Sequence, residues 1–432
     1  MTKDREIQVG YISRVEGQGS LEIKVSAGNI KELQLGIFEP PKFFEAFLVG
    51  RHCSEVHELT ARICGICPAP HEITALRAVE NAMDIQISQQ TGDLRRLMNY
   101  GCHIASHILN LYFLAAPDYL GCESVFAMVK DHMPVVKRAL RLKKLGNDLV
   151  ELIGGRAIHP VSAVVNGFTN IPDKNDMKVM RQRLVDAKQD ACDTVEFITS
   201  LKLPQFIRKC EHVALSSPEE FAINEGLLAS TEGIKVKEEK YRDYVRELQV
   251  DYSWAKHSEI VGRSAFLVGP LARVNLNFDK LSHDSRKLAQ KIGFSVPNYN
   301  PFMSHVARAL EVVNAIDDCV KIMDKIKLKE EDRYYEIKAG TGYAITEAPR
   351  GLLYHSYELG KDGTVKKADI VTPTAHNARN MENDLRELVP TLADLTDQEA
   401  TLQCEMLVRA YDPCISCSVH YVNLDNARLQ KA

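Results

Sequence analysis

The stretch Arg62-Ile63-Cys64-Gly65-Ile66-Cys67-Pro68-Ala69-Pro70-His71 decides how this chain is read, together with its echo near the other end, Asp412-Pro413-Cys414-Ile415-Ser416-Cys417-Ser418-Val419-His420. Each is a C-x-x-C pair with a histidine close behind. Such a pair sets two soft sulfur donors about one turn apart, a donor set that selects thiophilic transition metals over calcium or magnesium. Pro68 follows Cys67 and opens a long helical pattern. That order predicts Cys67 at a helix N-terminus, where free N–H groups and the dipole favour an anion and lower a thiol's pKa. From spacing alone, a structural four-cysteine zinc site is the commoner outcome. Two features oppose it: the pairs bracket a chain large enough to need no metal staple, and ionisable Arg62, His71, Asp412 and His420 flank them.

Working outward, the 432 residues are 45% hydrophobic and 26% charged with a formal net charge of -4, the composition of an ordinary soluble globular protein. Nothing in it suggests a nucleic-acid partner. The most apolar run, 104–120, is broken by His107, Asn110, Pro117 and Asp118, so no membrane span is expected. The first residues lack the apolar core of a signal peptide, and a cytoplasmic location is expected. Eleven cysteines, an odd number, argue for reduced thiols rather than a disulfide scaffold. The seven outside the pairs, Cys53, Cys102, Cys122, Cys192, Cys210, Cys319 and Cys404, show no cluster-binding spacing and read as small buried hydrophobes.

Residues 7–38 alternate apolar and polar side chains around several glycines, which predicts short antiparallel strands. Helical periodicity covers 71–90, 91–115, 123–153, 173–203, 305–329, 375–389 and 397–411. Turn-rich connectors such as Gly269-Pro270 and 297–301 lie between, and the charge run 325–333 reads as a solvated helix end. A glycine-rich, strand-like patch at 334–357 predicts hairpins beside the metal site. The expected fold is mainly α with small β-sheets (α+β): a large helical-bundle core with an N-terminal antiparallel sheet. Three segments are expected: 1–60, β-rich; 61–330, the helical core; and 331–432, with the second cysteine pair and a tail at 421–432.

The two cysteine signatures resemble those of the large, catalytic subunit of nickel-iron hydrogenases, and further family motifs follow in order along the chain. They are Arg14-Val15-Glu16-Gly17, Phe43-Phe44-Glu45 with Gly50-Arg51, Ser106-His107, Ile158-His159-Pro160, Ala272-Arg273-Val274-Asn275, Glu347-Ala348-Pro349-Arg350-Gly351 and Pro373-Thr374. The resemblance implies the hydrogenase large-subunit fold and nickel bound by Cys64, Cys67, Cys414 and Cys417. It further implies that Cys67 and Cys417 bridge to an iron carrying carbon monoxide and cyanide, with Cys64 and Cys414 terminal. Reversible heterolysis of H2 is the implied reaction, with Cys414 taking the proton, Glu16 passing it on and Arg350 held over the metals. Glu45 and His420 match ligands of a magnesium ion, with Glu39 a nearby alternative to Glu45. His71, His107 and Asp412 match residues that support the centre by hydrogen bonds. Ser106 departs from the aspartate many uptake enzymes carry there, so their oxygen tolerance and catalytic bias do not transfer.

The same resemblance implies an iron-sulfur small subunit as partner, because this chain has no spare cluster-binding cysteines. The ending and length look closest to the cytoplasmic, bidirectional branch, with diaphorase-type subunits that pass electrons to a soluble carrier such as NAD(P). Nickel-insertion proteins and a protease that trims the chain after His420 are further implied partners. Two alternatives stand beside this reading: a zinc scaffold without chemistry, and the related quinone-site subunit of respiratory complex I, which lacks the four cysteines.

Overall fold

A computed structural model describes residues 4–27, 29–39 and 43–419. His420 and the tail at 421–432 lie outside the described residues. The N-terminal alternation folds as an antiparallel sheet of β1 (Arg5–Val9), β2 (Gly19–Ser26) and β3 (Asn29–Ile37) in that order. Leu21 faces Leu35 and Ile23 faces Leu33 across β2 and β3, and all four are buried, because alternate side chains of a strand leave on one face.

Two short helices, α1 (Phe44–Leu48) and α2 (Val56–Ala61), lead to the first cysteine pair, and α3 (Pro68–Met83) starts directly after it. Next come α4 (Gln89–Ile108), α5 (Ala116–Tyr119), α6 (Val125–Gly154) and α7 (Lys174–Ser200), with the two-residue strands β4 (Ala163–Val164) and β5 (Gly167–Phe168) between the last two. The helices α4 and α6 touch backbone to backbone at Gly101 and Gly146. A Cβ on Gly101 would come within 2.9 Å of the Gly146 carbonyl oxygen, so only glycine fits the crossing. The helix predicted over 91–115 is not continuous: beyond Ile108 it widens into a π-helix at Leu109–Ala115.

The stretch read as connectors between 203 and 305 holds more structure than its sequence declared. β6 (Glu211–Ser216), β7 (Leu227–Ser230) and β8 (Lys235–Val236) form a sheet that β11 (Phe266–Leu267) joins in parallel to β6. The helix α8 (Tyr241–Tyr244) precedes a hairpin of β9 (Val245–Val250) and β10 (Ser253–Ile260), and α9 (Pro270–Asn277) and α10 (His283–Lys291) follow. Several of these strands are two to six residues long, too short for a period of two to stand out.

The helix α11 (Ser304–Lys325) stops short of the predicted boundary at 329, and 326–333 has no regular secondary structure, so the charge run lies beyond the helix end. β12 (Gly340–Ala348), β13 (Gly351–Leu359) and β14 (Val365–Val371) form an antiparallel sheet that extends past the predicted patch. It packs on α3, where a Cβ on Gly342 would fall on the Ala78 carbonyl. α12 (Pro373–Leu388) and α13 (Asp397–Tyr411) complete the described chain. One apolar core runs through Ile7, Ile73, Leu97, Leu149, Val313 and Leu407 and takes in Cys64, Cys67, Cys414 and Cys417. Among the described residues no helix is long and apolar enough to cross a membrane.

Candidate metal centre

Cys67 is the N-cap of α3 with Pro68 as the first helical residue, as the sequence predicts. The electrostatics within the pair run the other way from the prediction. Cys64 Sγ accepts from the backbone N–H of Ile66 at 3.3 Å and of Cys67 at 3.0 Å, and from the Cys67 thiol at 2.6 Å. Burial opposes ionisation of Cys64, but the Cys67 hydrogen bond, the Arg350 charge and those two N–H groups together lower its pKa. Cys67, donor to a neighbour that holds the negative charge and itself buried, is pushed well up. Cys102 on α4 donates to the Ile66 carbonyl at 3.5 Å and braces the turn between the pair. Of the seven other cysteines, Cys53, Cys102, Cys319 and Cys404 are buried as expected, whereas Cys122, Cys192 and Cys210 are only half-buried.

The second pair is placed by the end of α13. Asp412 caps that helix in the left-handed region, φ 56°, a conformation aspartate tolerates better than most residues. The reversal turns the chain back, and the Cys414 N–H donates to Thr374 Oγ1 at 2.9 Å, at the start of α12. Cys414 and Cys417 sulfurs lie in direct contact, Cys64 and Cys414 sulfurs are 3.6 Å apart, and all four fall within 4.8 Å of one another. None is more than 3% exposed. At metal–sulfur distances of about 2.3 Å, sulfurs around one ion sit about 3.8 Å apart. The Cys64–Cys414 separation is close to that spacing, and the sulfurs within each pair lie closer together. Four buried sulfurs are the donor set a thiophilic metal takes.

Glu16 reaches the cluster from the loop between β1 and β2. A parallel bridge pairs Glu16 with Cys414, and the Ile415 N–H donates to the Glu16 carbonyl at 2.9 Å. Its carboxylate Oε2 lies 3.1 Å from Cys414 Sγ and accepts the Ser416 N–H at 3.0 Å, while the Ser416 hydroxyl donates to Oε1. The loop is anchored two residues earlier: Arg14, at φ 57°, donates to the Leu114 carbonyl at 2.8 Å and pairs with Asp118. Arg409 of α13 donates to Asp118 at 2.9 Å and to the Ser13 carbonyl at 3.0 Å.

Arg350 sits at the turn between β12 and β13, 2% exposed. Its Nε donates to the Asp412 carbonyl at 2.7 Å and its Nη2 to Asp412 Oδ1 at 3.1 Å. Nη1 meets no protein acceptor. Burial opposes the charge of Arg350, yet Asp412 and the sulfurs of Cys67 and Cys64 hold its pKa above the ordinary value. A permanently charged donor therefore stays beside the cluster.

His107, which the resemblance places among the residues that support the centre by hydrogen bonds, is fully buried on α4. Its Nε2 bonds Glu311 at 2.8 Å, and Arg273 grips the same carboxylate with two bonds of 2.7 Å. Arg273 also donates to Glu347 Oε2 and the Ala348 carbonyl, both at 2.9 Å, and to the Pro349 carbonyl at 3.0 Å. The brace thus grips every residue from Glu347 to Pro349, just before Arg350. Burial pushes the Glu311 carboxyl up, but Arg273 and His107 bring it well below the usual carboxylate range. Its stabilisation is therefore complete above the unfolded value of about 4.3 and is lost as pH falls below it. Glu311→Gln is expected to lower stability at pH 7 by about 3–5 kcal/mol, the penalty for leaving Arg273 half-paired, and to flatten the acid limb of a melting-temperature profile.

His71 stands on the first turn of α3 and bonds His355 Nε2 at 3.3 Å, and Tyr357 bonds the far side of that ring at 2.7 Å. Glu45, 9% exposed on α1, accepts the Ile370 N–H from β14 at 2.7 Å. Glu39 accepts the Gln18 N–H at 2.9 Å instead. The sequence reading quotes Ser416, Thr374 and Arg273 within its motifs without giving them a role, and it misses Glu311. The Leu310-Glu311-Val312-Val313 run, apolar around the glutamate, was the available sign that Glu311 is buried.

This geometry has parallels among known proteins. The sequence family described as nickel-dependent hydrogenase matches residues 42–134 and 211–420. Sulfhydrogenase 1 subunit alpha of Pyrococcus furiosus is 37% identical over 424 residues, 97% of this chain and 98% of that protein. Sulfhydrogenase 2 subunit alpha of the same organism is 32% identical over 428 residues, 97% of this chain and 100% of that protein. A solved NAD+-reducing NiFe hydrogenase in its H2-reduced state superposes with a TM-score of 0.83 and 25% identity, covering 96% of this chain and 99% of that one.

Proposed function

The chain belongs to the nickel-dependent hydrogenases as a catalytic large subunit, and from that premise we propose that it cleaves and forms H2 reversibly at a nickel-iron centre. The observation that carries this is the convergence of four buried sulfurs beside a carboxylate at 3.1 Å and a guanidinium with a free donor. A structural zinc site has no use for either group. Cys64, Cys67, Cys414 and Cys417 would hold nickel, and Cys67 and Cys417 would share their sulfurs with an iron carrying carbon monoxide and cyanide. The bound pair would supply the site where H2 is polarised and two electrons are collected. Cys414 Sγ takes the proton, and Glu16 Oε2, already within hydrogen-bond reach, receives it. Ser416 fixes both carboxylate oxygens so that the acceptor faces the sulfur. Arg350, fixed by Asp412, polarises the open side of the centre.

Glu45 is the magnesium ligand in this reading, together with His420 outside the described residues. The electrons leave through an iron-sulfur small subunit, since among the described residues no further cysteines gather into a cluster. The likeness to an NAD+-reducing enzyme supports a nicotinamide carrier, diaphorase-type partners and a cytoplasmic complex that nickel-insertion proteins and a trimming protease mature. Infrared spectra of the purified complex should carry carbonyl and cyanide bands above the amide region, with nickel and iron each near one per chain. Zinc alone and no such bands would overturn the reading.

A further inference from the structure

The loop that carries Arg350 does not dictate its own shape. β12 and β13 pair up to Ala348 and Gly351, so Pro349 and Arg350 make a two-residue hairpin turn. Turns of that length normally place the first or both central residues at positive φ, which matches the twist of the flanking strands. Here Pro349 is fixed at negative φ by its ring, and Arg350 does not lie at positive φ either. A turn built that way splays its strands, so its geometry has to be held from outside.

The hold comes from α4 and α9. The Glu347 carbonyl accepts from His103 Nε2 at 2.9 Å and from Asn99 Nδ2 at 3.2 Å, both on α4. Arg273 on α9 takes the next two: its Nη1 donates to the Ala348 carbonyl at 2.9 Å and its Nη2 to the Pro349 carbonyl at 3.0 Å. The three consecutive carbonyls leading into Arg350 are thus fixed by side chains. The other three N–H groups of Arg273 go to Glu347 Oε2 at 2.9 Å and to both oxygens of Glu311 at 2.7 Å. All five donors of this fully buried guanidinium are engaged, and none is left for the metal centre. Behind the turn, Gly269, the N-cap of α9, lies so close that a Cβ on it would come within 2.8 Å of the Arg350 carbonyl oxygen. The start of α9 therefore sets both the approach to Arg350 and the backbone of Arg350 itself.

We propose that Arg273 is a positioning residue for Arg350, fixing the backbone from which that guanidinium reaches over the metal centre. Asp412 holds the far end of the Arg350 side chain, and Arg273 holds its root. A guanidinium is a rigid, planar fork of donors, so this one residue registers two carbonyls against two carboxylates. A misplacement of about 1 Å in a group that acts on a reacting position costs up to ~100-fold in rate. The inference rests on the hydrogenase reading above, in which Arg350 polarises the open side of the centre.

The test uses the assembled complex in three substituted forms: Arg273→Lys, Arg350→Lys and the two together. Lysine keeps a charge beside Glu311, but a single ammonium cannot span two carboxylates and two carbonyls. Arg273→Lys should keep nickel and iron at the level of the unsubstituted complex and lower kcat for H2 oxidation about tenfold. Its metal-ligand infrared bands should shift, as those of Arg350→Lys do. The double variant should stay within about twofold of Arg350→Lys alone, because a guanidinium already removed cannot be misplaced. Losses that multiply in the double variant would overturn the positioning role. So would Arg273→Lys with a full rate and unshifted bands, or a folded Arg273→Lys that has lost its metal. If Arg273→Lys does not assemble, Arg273→Gln with Glu311→Gln replaces it, since that pair removes both buried charges together, and the same outcomes decide. A full rate in Arg350→Lys, or an unsubstituted complex without metal-ligand bands, would instead defeat the reading on which the inference rests.

Discussion

Cys67→Ser is expected to empty the centre: nickel and iron per chain should fall at least about 100-fold, and H2 oxidation with them. A hard serine oxygen replaces a soft sulfur at the position where α3 begins, so the loss is one of ligand softness as well as of geometry. Serine is also a favourable N-cap, so α3 keeps its start and the helical signal in circular dichroism should be unchanged. The informative combination is an intact fold without metal. Retention of nickel at one per chain in Cys67→Ser would show that this sulfur does not hold it.

Glu16→Gln is expected to do the reverse, sparing the metal and stopping the proton. Glutamine keeps the size of the side chain and can still accept from the Ser416 N–H, but it cannot take a proton from Cys414. H2 oxidation should fall by about 10²- to 10⁴-fold with nickel, iron and the metal-ligand infrared bands unchanged. Glu16→Asp, one methylene shorter, should recover part of that loss. Full activity in Glu16→Gln would remove this carboxylate from the reaction.

How much of this was legible in the sequence depends on the range of the physics involved. The long helices were, because a 3.6-residue period repeats often enough over 20 to 30 residues to be counted. The two cysteine pairs and the capping position of Cys67 were legible because their chemistry is local. The charge order within the first pair was not. Which sulfur ionises depends on two N–H groups aimed at Cys64 and on Arg350, which comes from a hairpin almost 300 residues away. His107 shows the same limit, since its partner Glu311 lies 204 residues on and the motif around the histidine says nothing of it. The short strands between 211 and 267 escaped for a third reason: they are held by pairing partners rather than by their own pattern.

The convergence of the four sulfurs also sets a timetable. Cys64 and Cys414 are 350 residues apart, and at roughly 5–20 residues per second the second pair leaves the ribosome about 20–70 seconds after the first. During that interval α3 and the helices that pack on it can form, while two soft thiols at the head of α3 wait without the sulfurs that will enclose them. Oxidation or capture of a stray metal then competes with the intended cargo. The segment that closes the centre is thus made well after the pair it closes upon, and the order of synthesis leaves an opening for loading before burial.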